Sequence, residues 1–435
     1  MNTLPSILDV DLSGKVVLVR MDHNVVKKGK IKDPMRIDAT IPTLFHIFKK
    51  GGLPILMTHV GRPYDKQAKK IKITEHDAVD PIVEYLDSKL MLKGMIPALK
   101  EEAGSGISDL SALGQAVQDL KSGAADYLYL PNTRWFEGEE SSDERSDKLA
   151  ESLAGYADVF VNDAFGSWQP HASTYNITKY LPSYAGLLMQ KEISNLDKIF
   201  SPKRPLVAVV AGSKFDTKIG PLSALIEIAD HLILGGVIYN AYLSAKYGIN
   251  ISGLTQEDVA AAQKFIDDIK ENAAKIIELP YVVLSSSIEK RDDESWDIYH
   301  IHDLKLWDQT EPIGYVLDAA EESFEEEEIK AIFMTAGSIF VNAVMGYTAL
   351  FPEGSMAMYR LIHQNGMAQK LFGGGDTIQD FGAYLPGIFA QAQRDDRYYF
   401  FTGGGAILTA IQNRSPYGMK PVQALIKNNK RSSNA

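Results

Sequence analysis

The stretch from Leu206 to Asp230 is the sequence feature that most constrains how this chain can fold. Its apolar run, Leu206 to Val210, predicts a buried strand, which the small residues Ala211-Gly212-Ser213 end. A helical pattern follows, in which Leu222 and Leu225 fall on one face. A strand, a small-residue turn and a helix in this order direct backbone N–H groups and the positive end of the helix towards an anion.

Two lysines, Lys214 and Lys218, fall in or beside this turn. Cations next to a strand, a tight turn and a helix favour a phosphate-binding site that includes Gly212. The alternative is an ordinary connection between a strand and a helix, with its lysines at the surface. The stretch alone leaves both interpretations open.

Polar side chains follow four apolar runs in the first half of the chain. The runs are Val16–Val19, Ile55–Met57, Tyr127–Leu130 and Val159–Val161, and each predicts a strand. In a parallel sheet, residues that follow such strands meet at one edge, where α/β proteins bind their ligands. The residues at or soon after these strand ends are Asp22, Asn24, Arg36, His59, Arg62, Arg134, Asn162 and Asp163. Each of them alone is more simply a structural or solvated residue. Their recurrence predicts a basic pocket for a small polyanion, because the arginine fork matches phosphate and carboxylate.

The second half carries glycine runs beside apolar strands. Gly235-Gly236 follows Leu232–Leu234, and Gly403-Gly404-Gly405 follows Tyr398–Phe401. A third run, Gly373-Gly374-Gly375, precedes Asp376 and Thr377. Glycine lets a nucleotide approach the backbone closely, and a carboxylate beside such a loop can hold Mg²⁺. One triplet alone would indicate only a tight turn, but the repetition predicts a nucleotide site with Asp376 as its metal ligand.

Composition limits the possible functions further. A length of 435 residues favours two large domains, and a net charge of −11 argues against a nucleic-acid partner. The chain has no cysteine, which excludes disulfides, thiolate zinc sites and cysteine nucleophiles. The first residues lack the pattern of a signal peptide, and no apolar run reaches the roughly 18 residues of a membrane helix. We therefore expect a cytoplasmic protein that does not act at a membrane.

Several longer segments match the motifs of one known family in that family's order. VLVRMDHNV resembles V-R-x-D-F-N-V, with His23 in the phenylalanine place, and THVGRP is similar to S-H-L-G-R-P. NTRWFEGEE is similar to N-x-R-F-x-x-G-E-E, VNDAFG matches directly, and AGSKFDTKIG resembles G-G-A-K-x-x-D-K-I. LILGG, GGGDT and TGGGA match the family's nucleotide side. From about Leu12 to Ala410, the chain thus resembles the phosphoglycerate kinases.

The resemblance implies an α/β fold with two domains. Each would be a Rossmann-like three-layer domain with a parallel sheet, and an interdomain helix would join the two beside a cleft. By this resemblance residues 1–184 form a phosphoglycerate-binding N-terminal domain and residues 185–204 the interdomain helix and linker. Residues 205–410 form a nucleotide-binding C-terminal domain, and residues 411–435 form a tail for which the family implies a return to the N-terminal domain.

The resemblance also implies the activity and its residues. The reaction is reversible phosphoryl transfer between 1,3-bisphosphoglycerate and Mg-ADP, which gives 3-phosphoglycerate and Mg-ATP, on a monomer that binds small molecules only. Arg36 and Lys214 would act on the transferring phosphoryl group from opposite domains, and Asp376 would bind Mg²⁺. The residues implied to hold phosphoglycerate are Asp22, Asn24, Arg36, His59, Arg62 and Arg134. Those implied to hold ADP or ATP are Gly212, Lys214, Lys218, Gly235, Asn342, Gly373, Gly374, Gly375, Asp376, Thr377, Gly403 and Gly404.

Three segments depart from the family pattern. Residues 166–173 read GSWQPHAS, one residue shorter than G-T-A-H-R-A-H-[SA]-S, and the substrate-binding arginine is missing. Ala349 stands at the place of a ribose-binding glutamate, and the D-I-G-P segment reads DAAE from Asp318. A lost charged contact of about 1.5–3 kcal/mol weakens binding by about ten to a few hundredfold. Two alternatives therefore stay open, a related acyl-phosphate kinase for another anionic acid and a non-catalytic binding protein of this fold.

Overall fold

The chain forms two compact units. The computed structural model describes residues 4–102, 104–213 and 218–432. Contacts within the chain place residues 1–193 and 419–435 in the first unit and residues 194–418 in the second.

A six-stranded parallel sheet lies at the centre of the first unit. The strands of this unit are β1 (Val16–Arg20), β2 (Val26–Lys27), β3 (Lys30–Ile31), β4 (Leu53–Met57), β5 (Tyr64–Asp65), β6 (Lys70–Ile71), β7 (Gly94–Met95), β8 (Tyr127–Tyr129), β9 (Val159–Asn162) and β10 (Ser183–Ala185). The sheet order is β10-β9-β1-β4-β8-β7, while β2–β3 and β5–β6 form separate antiparallel pairs. All five residues of β1 are buried, as its continuous apolar pattern requires of a strand with both faces covered.

The helices of the first unit cover this sheet with amphipathic faces. They are α1 (Met35–Asp38), α2 (Ile41–Lys49), α3 (Asp80–Leu90), α4 (Leu113–Lys121), α5 (Glu144–Ala154) and the first half of α6 (Leu187–Phe200), with 3₁₀ turns at Ile7–Asp9, Glu75–Asp77, Thr133–Trp135 and Asn176–Lys179. In α4 the buried residues are Leu113, Ala116, Val117 and Leu120, which recur at the spacing of one helical face.

The second unit also contains a six-stranded parallel sheet. Its strands are β11 (Leu206–Gly212), β12 (His231–Gly235), β13 (Ile276–Ile277), β14 (Tyr281–Ser285), β15 (Trp296–His300), β16 (Tyr315–Ala319), β17 (Ser338–Asn342), β18 (Gln369–Phe372) and β19 (Tyr398–Phe400). The parallel sheet has the order β13-β12-β11-β17-β18-β19, and a smaller antiparallel sheet has the order β15-β14-β16.

Helices also follow most strands of the second unit. They are α7 (Ile219–Ile228), α8 (Gly236–Tyr247), α9 (Gln256–Asp268), α10 (Ile301–Leu304), α11 (Glu327–Thr335), α12 (Glu353–Gln364), α13 (Gly375–Tyr384), α14 (Pro386–Ala392) and α15 (Gly404–Gln412), with 3₁₀ turns at Lys270–Lys275 and Glu321–Phe324. The alternation of strand and helix is what makes neighbouring strands parallel, because each helix returns the chain to the starting edge of the sheet.

A last helix, α16 (Lys420–Ser432), belongs to the first unit. Its Asn428 side chain donates to the carbonyl oxygens of Thr178 at 2.7 Å and Leu181 at 3.2 Å. The same side chain accepts the Ser183 backbone N–H at 3.1 Å. Asn428 thus joins α16 to the segment that enters the edge strand β10.

The prediction of an α/β fold with two parallel sheets is confirmed. The helix of the predicted interdomain segment begins at Leu187, because residues 183–185 pair as a strand at the edge of the first sheet. The division between the units falls within this helix, between Ile193 and Ser194. Among the described residues, no helix is both long and apolar enough to cross a membrane.

Candidate functional site

The sheet of the first unit brings the polar strand ends together. Strands β9, β1, β4 and β8 are successive neighbours and run parallel. Their carboxyl ends therefore share one edge, and the segments around Asp163, Asp22, His59 and Arg134 follow them directly. The order of the strands thus brings these segments to one edge of the sheet, as predicted.

Hydrogen bonds tie the predicted residues of this edge to one another. The Arg36 guanidinium lies 3.3 Å from a carboxylate oxygen of Asp22, whose other oxygen is buried without a hydrogen-bond partner among the described residues. Asn24 accepts the Gly61 backbone N–H at 3.0 Å. Arg36 keeps 29% of its side chain exposed, so the guanidinium remains accessible to an anion.

Two further predicted arginines of this edge, Arg62 and Arg134, differ in how firmly their side chains are held. Arg134 donates to the carbonyl oxygen of Gly61 and forms an ion pair with Glu140 at 2.9 Å. Arg62 is exposed. An incoming anion would therefore meet Arg62 as an exposed side chain and Arg134 as a side chain that its partners already orient.

His59 lies within a group of cations. Burial, and then the charges of Arg20, Arg134, His171 and Arg36, hold the pKa of His59 well below its ordinary value. Part of its surface nevertheless stays exposed. At neutral pH the ring is therefore an uncharged hydrogen-bonding group in a positive surrounding.

The predicted site residues do not include Arg20, the largest fully buried polar residue of this edge, which is 1% exposed. Its guanidinium donates to the Ser173 hydroxyl at 2.8 Å and lies 3.1 Å from Nδ1 of His59. An arginine at the last position of an otherwise apolar strand was the available signal, because a buried charge requires fixed partners.

The shortened loop of residues 166–173 contacts the same histidine. The Ser167 hydroxyl lies 3.5 Å from Nδ1 of His59. His171, the basic residue of this loop, places Nε2 3.8 Å from Glu140, and burial lowers the pKa of His171. The segment that lacks the family's arginine therefore lies against a predicted substrate residue.

In the second unit, three helices begin at the carboxyl edge of the sheet. Helices α8, α13 and α15 start directly after β12, β18 and β19, and their N-cap residues are Gly235, Gly374 and Gly403. Within the described chain, none of these caps uses a side chain to accept a first-turn N–H group. Free N–H groups at helix N-termini, together with the helix dipole, favour bound phosphate.

The two glycine triplets approach each other too closely for larger residues. A Cβ atom on Gly404 would lie 2.7 Å from Cα of Gly374, and Nδ2 of Asn342 is 3.3 Å from the same point. The Lys218 ammonium donates to Oδ1 of Asn342 at 3.4 Å, and burial lowers the pKa of Lys218. Lys218, Asn342 and the residues of both triplets thus form one cluster at this edge.

Gly212 joins this cluster from β11. It forms a bridge with Gly236, and a Cβ atom on Gly212 would lie 3.2 Å from Cε of Lys218. Lys214 was also predicted here, but it lies outside the described residues.

The predicted metal ligand, Asp376, is exposed in the first turn of α13. The described residues contain no group of three or more side chains that could bind a metal by themselves. One carboxylate in the first turn of α13 fits Mg²⁺, which commonly takes one or two carboxylates and completes its shell with phosphate oxygens and water. The adjacent Thr377 is buried.

At position 349, where the family resemblance implies a ribose contact, the chain has an alanine, which has no hydrogen-bonding side chain. Ala349 itself is exposed. Nearby, Arg291 packs over the rings of Trp296 and Phe351, with its guanidinium carbon 4.4 and 4.6 Å from their centroids, and pairs with Glu353 at 2.6 Å. Glu353 is thus already bound to a cation.

The fold and these two edges define a nucleotide-binding α/β protein of the phosphotransferase type. The chain belongs to the phosphoglycerate kinase family, whose model, described as "Phosphoglycerate kinase", matches residues 7–414. The family consists of kinases of glycolysis, and the chain is a member of it.

Named relatives cover nearly the whole chain. It is 32% identical over 416 residues to the phosphoglycerate kinase of Roseiflexus sp. (strain RS-1), which covers 94% of this chain and 96% of the relative. It is 32% identical over 429 residues to the Chloroflexus aurantiacus (strain ATCC 29366 / DSM 635 / J-10-fl) enzyme, with 96% and 98% covered.

Solved structures of two phosphoglycerate kinases have a similar fold. The Coxiella burnetii structure matches with a TM-score of 0.75 and 25% identity, over 98% of this chain and 99% of that one. The Pyrococcus horikoshii OT3 structure matches with a TM-score of 0.77 and 20% identity, over 98% and 100%.

Proposed function

We propose that this chain catalyses reversible phosphoryl transfer between 1,3-bisphosphoglycerate and Mg-ADP, which gives 3-phosphoglycerate and Mg-ATP. The observation that carries the proposal is the cluster of Lys218, Asn342 and the two glycine triplets at the starts of α13 and α15, neither of which has a side-chain cap. Such a cluster suits the phosphates of a nucleotide. The proposal includes a cytoplasmic monomer that acts on small molecules, as the family resemblance implies.

The first unit would bind the phosphoglycerate. Its carboxylate and phosphate groups need cations and directed donors, and the strand ends of the first sheet supply both. Arg36 and Arg62 retain exposed surface, which leaves their guanidinium groups accessible to an anion. The proposed substrate residues are Asp22, Asn24, Arg36, His59, Arg62 and Arg134.

The second unit would bind the nucleotide. The backbone N–H groups at the starts of α13 and α15 would face its phosphates, and the half-buried Lys218 would supply a fixed charge. The proposed nucleotide residues are Gly212, Lys214, Lys218, Gly235, Asn342, Gly373, Gly374, Gly375, Asp376, Thr377, Gly403 and Gly404. Mg²⁺, which Asp376 would hold, neutralises phosphate charge when it is bound.

Transfer itself requires little covalent chemistry from the protein. The acyl phosphate oxygen and the nucleotide phosphate must lie in line, and the charge that spreads over the transferring group must be stabilised. Arg36 would stabilise that charge from the phosphoglycerate side and Lys214 from the nucleotide side. No protein nucleophile is needed, which is consistent with a chain that has no cysteine.

The test is a coupled assay with 3-phosphoglycerate and Mg-ATP. Replacing Arg36 with alanine should lower kcat by about 10²–10³, the usual effect of removing one stabiliser of transition-state charge. The matched control is Arg145→Ala, because Arg145 is exposed and paired with Asp143 at 2.8 Å. Near-normal turnover of Arg36→Ala, or an equal loss in Arg145→Ala, would contradict the assignment of Arg36.

A second candidate function is phosphoryl transfer to another anionic acid. The shortened loop favours it, since Ser167 lies 3.5 Å from the ring of His59 and the loop lacks the family's arginine. The same assay run with other short phosphorylated and unphosphorylated carboxylic acids separates the two. A higher kcat/KM for one of these acids than for 3-phosphoglycerate would establish the second candidate.

A further inference from the structure

The direction of one hydrogen bond fixes the chemical form of His59. The Arg20 guanidinium nitrogen Nη2 lies 3.1 Å from Nδ1 of His59. A guanidinium group carries only donors and keeps its proton in proteins, even though burial lowers the pKa of Arg20. Nδ1 of His59 must therefore be the acceptor, and the proton of a neutral ring must be on Nε2.

Arg20 is held in place by two further buried residues. Its Nε donates to the Ser173 hydroxyl at 2.8 Å, and Nη1 donates to the carbonyl oxygen of Met21. The Ser173 hydroxyl in turn donates to Oε1 of Glu139 at 2.6 Å, while the Ser173 backbone N–H donates to Oε2 at 3.1 Å. Since the single hydroxyl proton goes to Glu139, Ser173 can only accept from Arg20.

The four residues form a hydrogen-bonded relay, Glu139–Ser173–Arg20–His59, in which Arg20 donates both to Ser173 and to His59 and Ser173 donates to Glu139. Ser173 is 0% exposed, Arg20 1% and Glu139 2%, so water does not compete for these bonds. The Glu139 carboxylate also balances the charge of Arg20. A buried arginine with a complete set of partners gives a fixed geometry to the group at its end.

The other groups around His59 act in the same direction. Arg134, His171 and Arg36 are all positive or become positive when they bind a proton, and each disfavours a charged imidazole at His59. The Ser167 hydroxyl, 3.5 Å from Nδ1, can serve as a second donor to that nitrogen. The largest influences on the pKa of His59, which are burial and these neighbouring groups, all disfavour the imidazolium form.

We infer that Arg20 is a positioning residue, held by Ser173 and Glu139, that fixes His59 as the neutral Nε2–H tautomer. His59 then offers an anionic substrate one directed hydrogen bond and no charge. This inference rests on the proposed function for the assignment of His59 to the substrate site. The charge for substrate binding would come from the arginines, and the contribution of His59 would not change across neutral pH.

The direct test is an imidazole ¹H–¹⁵N spectrum of the uniformly ¹⁵N-labelled protein between about pH 5 and 8, where an ordinary histidine titrates. The His59 signals are assigned by their absence from the His59→Gln spectrum. We expect one protonated nitrogen, Nε2, and no titration in this range. An Nδ1–H tautomer, or titration near the ordinary histidine pKa, would overturn the inference.

A second arm tests the relay itself with Ser173→Ala. This variant removes the acceptor of Arg20 Nε, so we expect His59 to begin to titrate and the KM for 3-phosphoglycerate to rise about fivefold with little change in kcat. The matched control is Ser146→Ala, a buried serine of α5 outside the relay. An unchanged His59 spectrum in folded Ser173→Ala would overturn the role of Ser173.

The two arms separate this inference from the proposed function. The wild-type spectrum needs neither substrate nor a folded Ser173→Ala variant. A neutral Nε2–H ring in a protein that fails to turn over 3-phosphoglycerate supports the inference and contradicts the proposed function. Turnover of 3-phosphoglycerate by a protein whose His59 titrates would support the proposed function and contradict this inference.

Discussion

The contact between the two glycine triplets allows one substitution to be worked out in detail. In Gly404→Ala the new methyl carbon would lie 2.7 Å from Cα and 2.9 Å from N of Gly374. Both atoms are backbone, so no side-chain rotation relieves the clash. Gly374 has φ of +109° and caps α13, so the start of that helix must move away from the start of α15.

Two opposing effects set the size of the change. Overpacking a close contact costs about 1–3 kcal/mol. Replacing glycine with alanine in a helix stabilises the folded state by about 0.5–1 kcal/mol, because glycine loses more conformational freedom on folding. The cost of the clash is the larger effect, so we expect the free energy of unfolding to fall by about 1–2 kcal/mol. For a domain of this size, this loss lowers the Tm by about 2–8 °C.

The assay combines thermal unfolding with calorimetric titration of Mg-ADP. Because the N–H groups at the two helix starts no longer converge, the Kd of Mg-ADP should rise about tenfold or more in Gly404→Ala. The control is Gly387→Ala in α14, where a Cβ atom meets nothing within 4 Å. It should leave the Kd unchanged and the Tm equal or higher. A Gly404→Ala protein with wild-type Tm and Kd would refute this account of the nucleotide edge.

Three further substitutions test other parts of the structure. In His23→Phe, the family's residue replaces a ring whose nitrogens lie 3.0 Å from the Tyr129 hydroxyl and 2.8 Å from the Thr40 hydroxyl. Both hydroxyls lose a hydrogen-bond partner, so the free energy of unfolding measured in urea should fall by about 1–3 kcal/mol. An unchanged urea midpoint would contradict this expectation. Burial raises the pKa of Asp163 to about 6. The folded state therefore binds this proton more tightly than the unfolded chain, and stability should increase as the pH falls through about 6. Asp163→Asn should remove that part of the pH dependence, and a full dependence in the variant would exclude Asp163 as its source. Ala349→Glu should lower the Kd of Mg-ADP about tenfold if a ribose contact is restored, and calorimetry that shows no change would reject the ribose assignment.

Much of the fold follows from short-range sequence patterns. Strands β1 and β11 were predicted because their apolar runs have the length of strands that are buried on both faces. The edge strand β10, with the sequence SYA, was missed because three residues carry no periodicity. Its pairing with β9 comes from tertiary contacts instead.

The expectation that ligand-binding residues follow the carboxyl ends of parallel strands also predicted most of the candidate site. The order of the strands in the first sheet places the segments of Asp22, His59 and Arg134 at one edge, as predicted. The relay behind His59 was not predictable, since Arg20 and Ser173 are 153 positions apart and no pattern links them. The roles of individual residues in binding remain predictions that the proposed substitutions test.

The most direct test of the central claim is a ³¹P NMR spectrum of the protein with Mg-ATP and 3-phosphoglycerate. We expect the γ-phosphate signal of ATP to fall while the signals of ADP and an acyl phosphate appear, until the reversible reaction reaches equilibrium. A spectrum that stays unchanged with millimolar substrates and folded protein would contradict the proposal that this chain transfers a phosphoryl group to 3-phosphoglycerate.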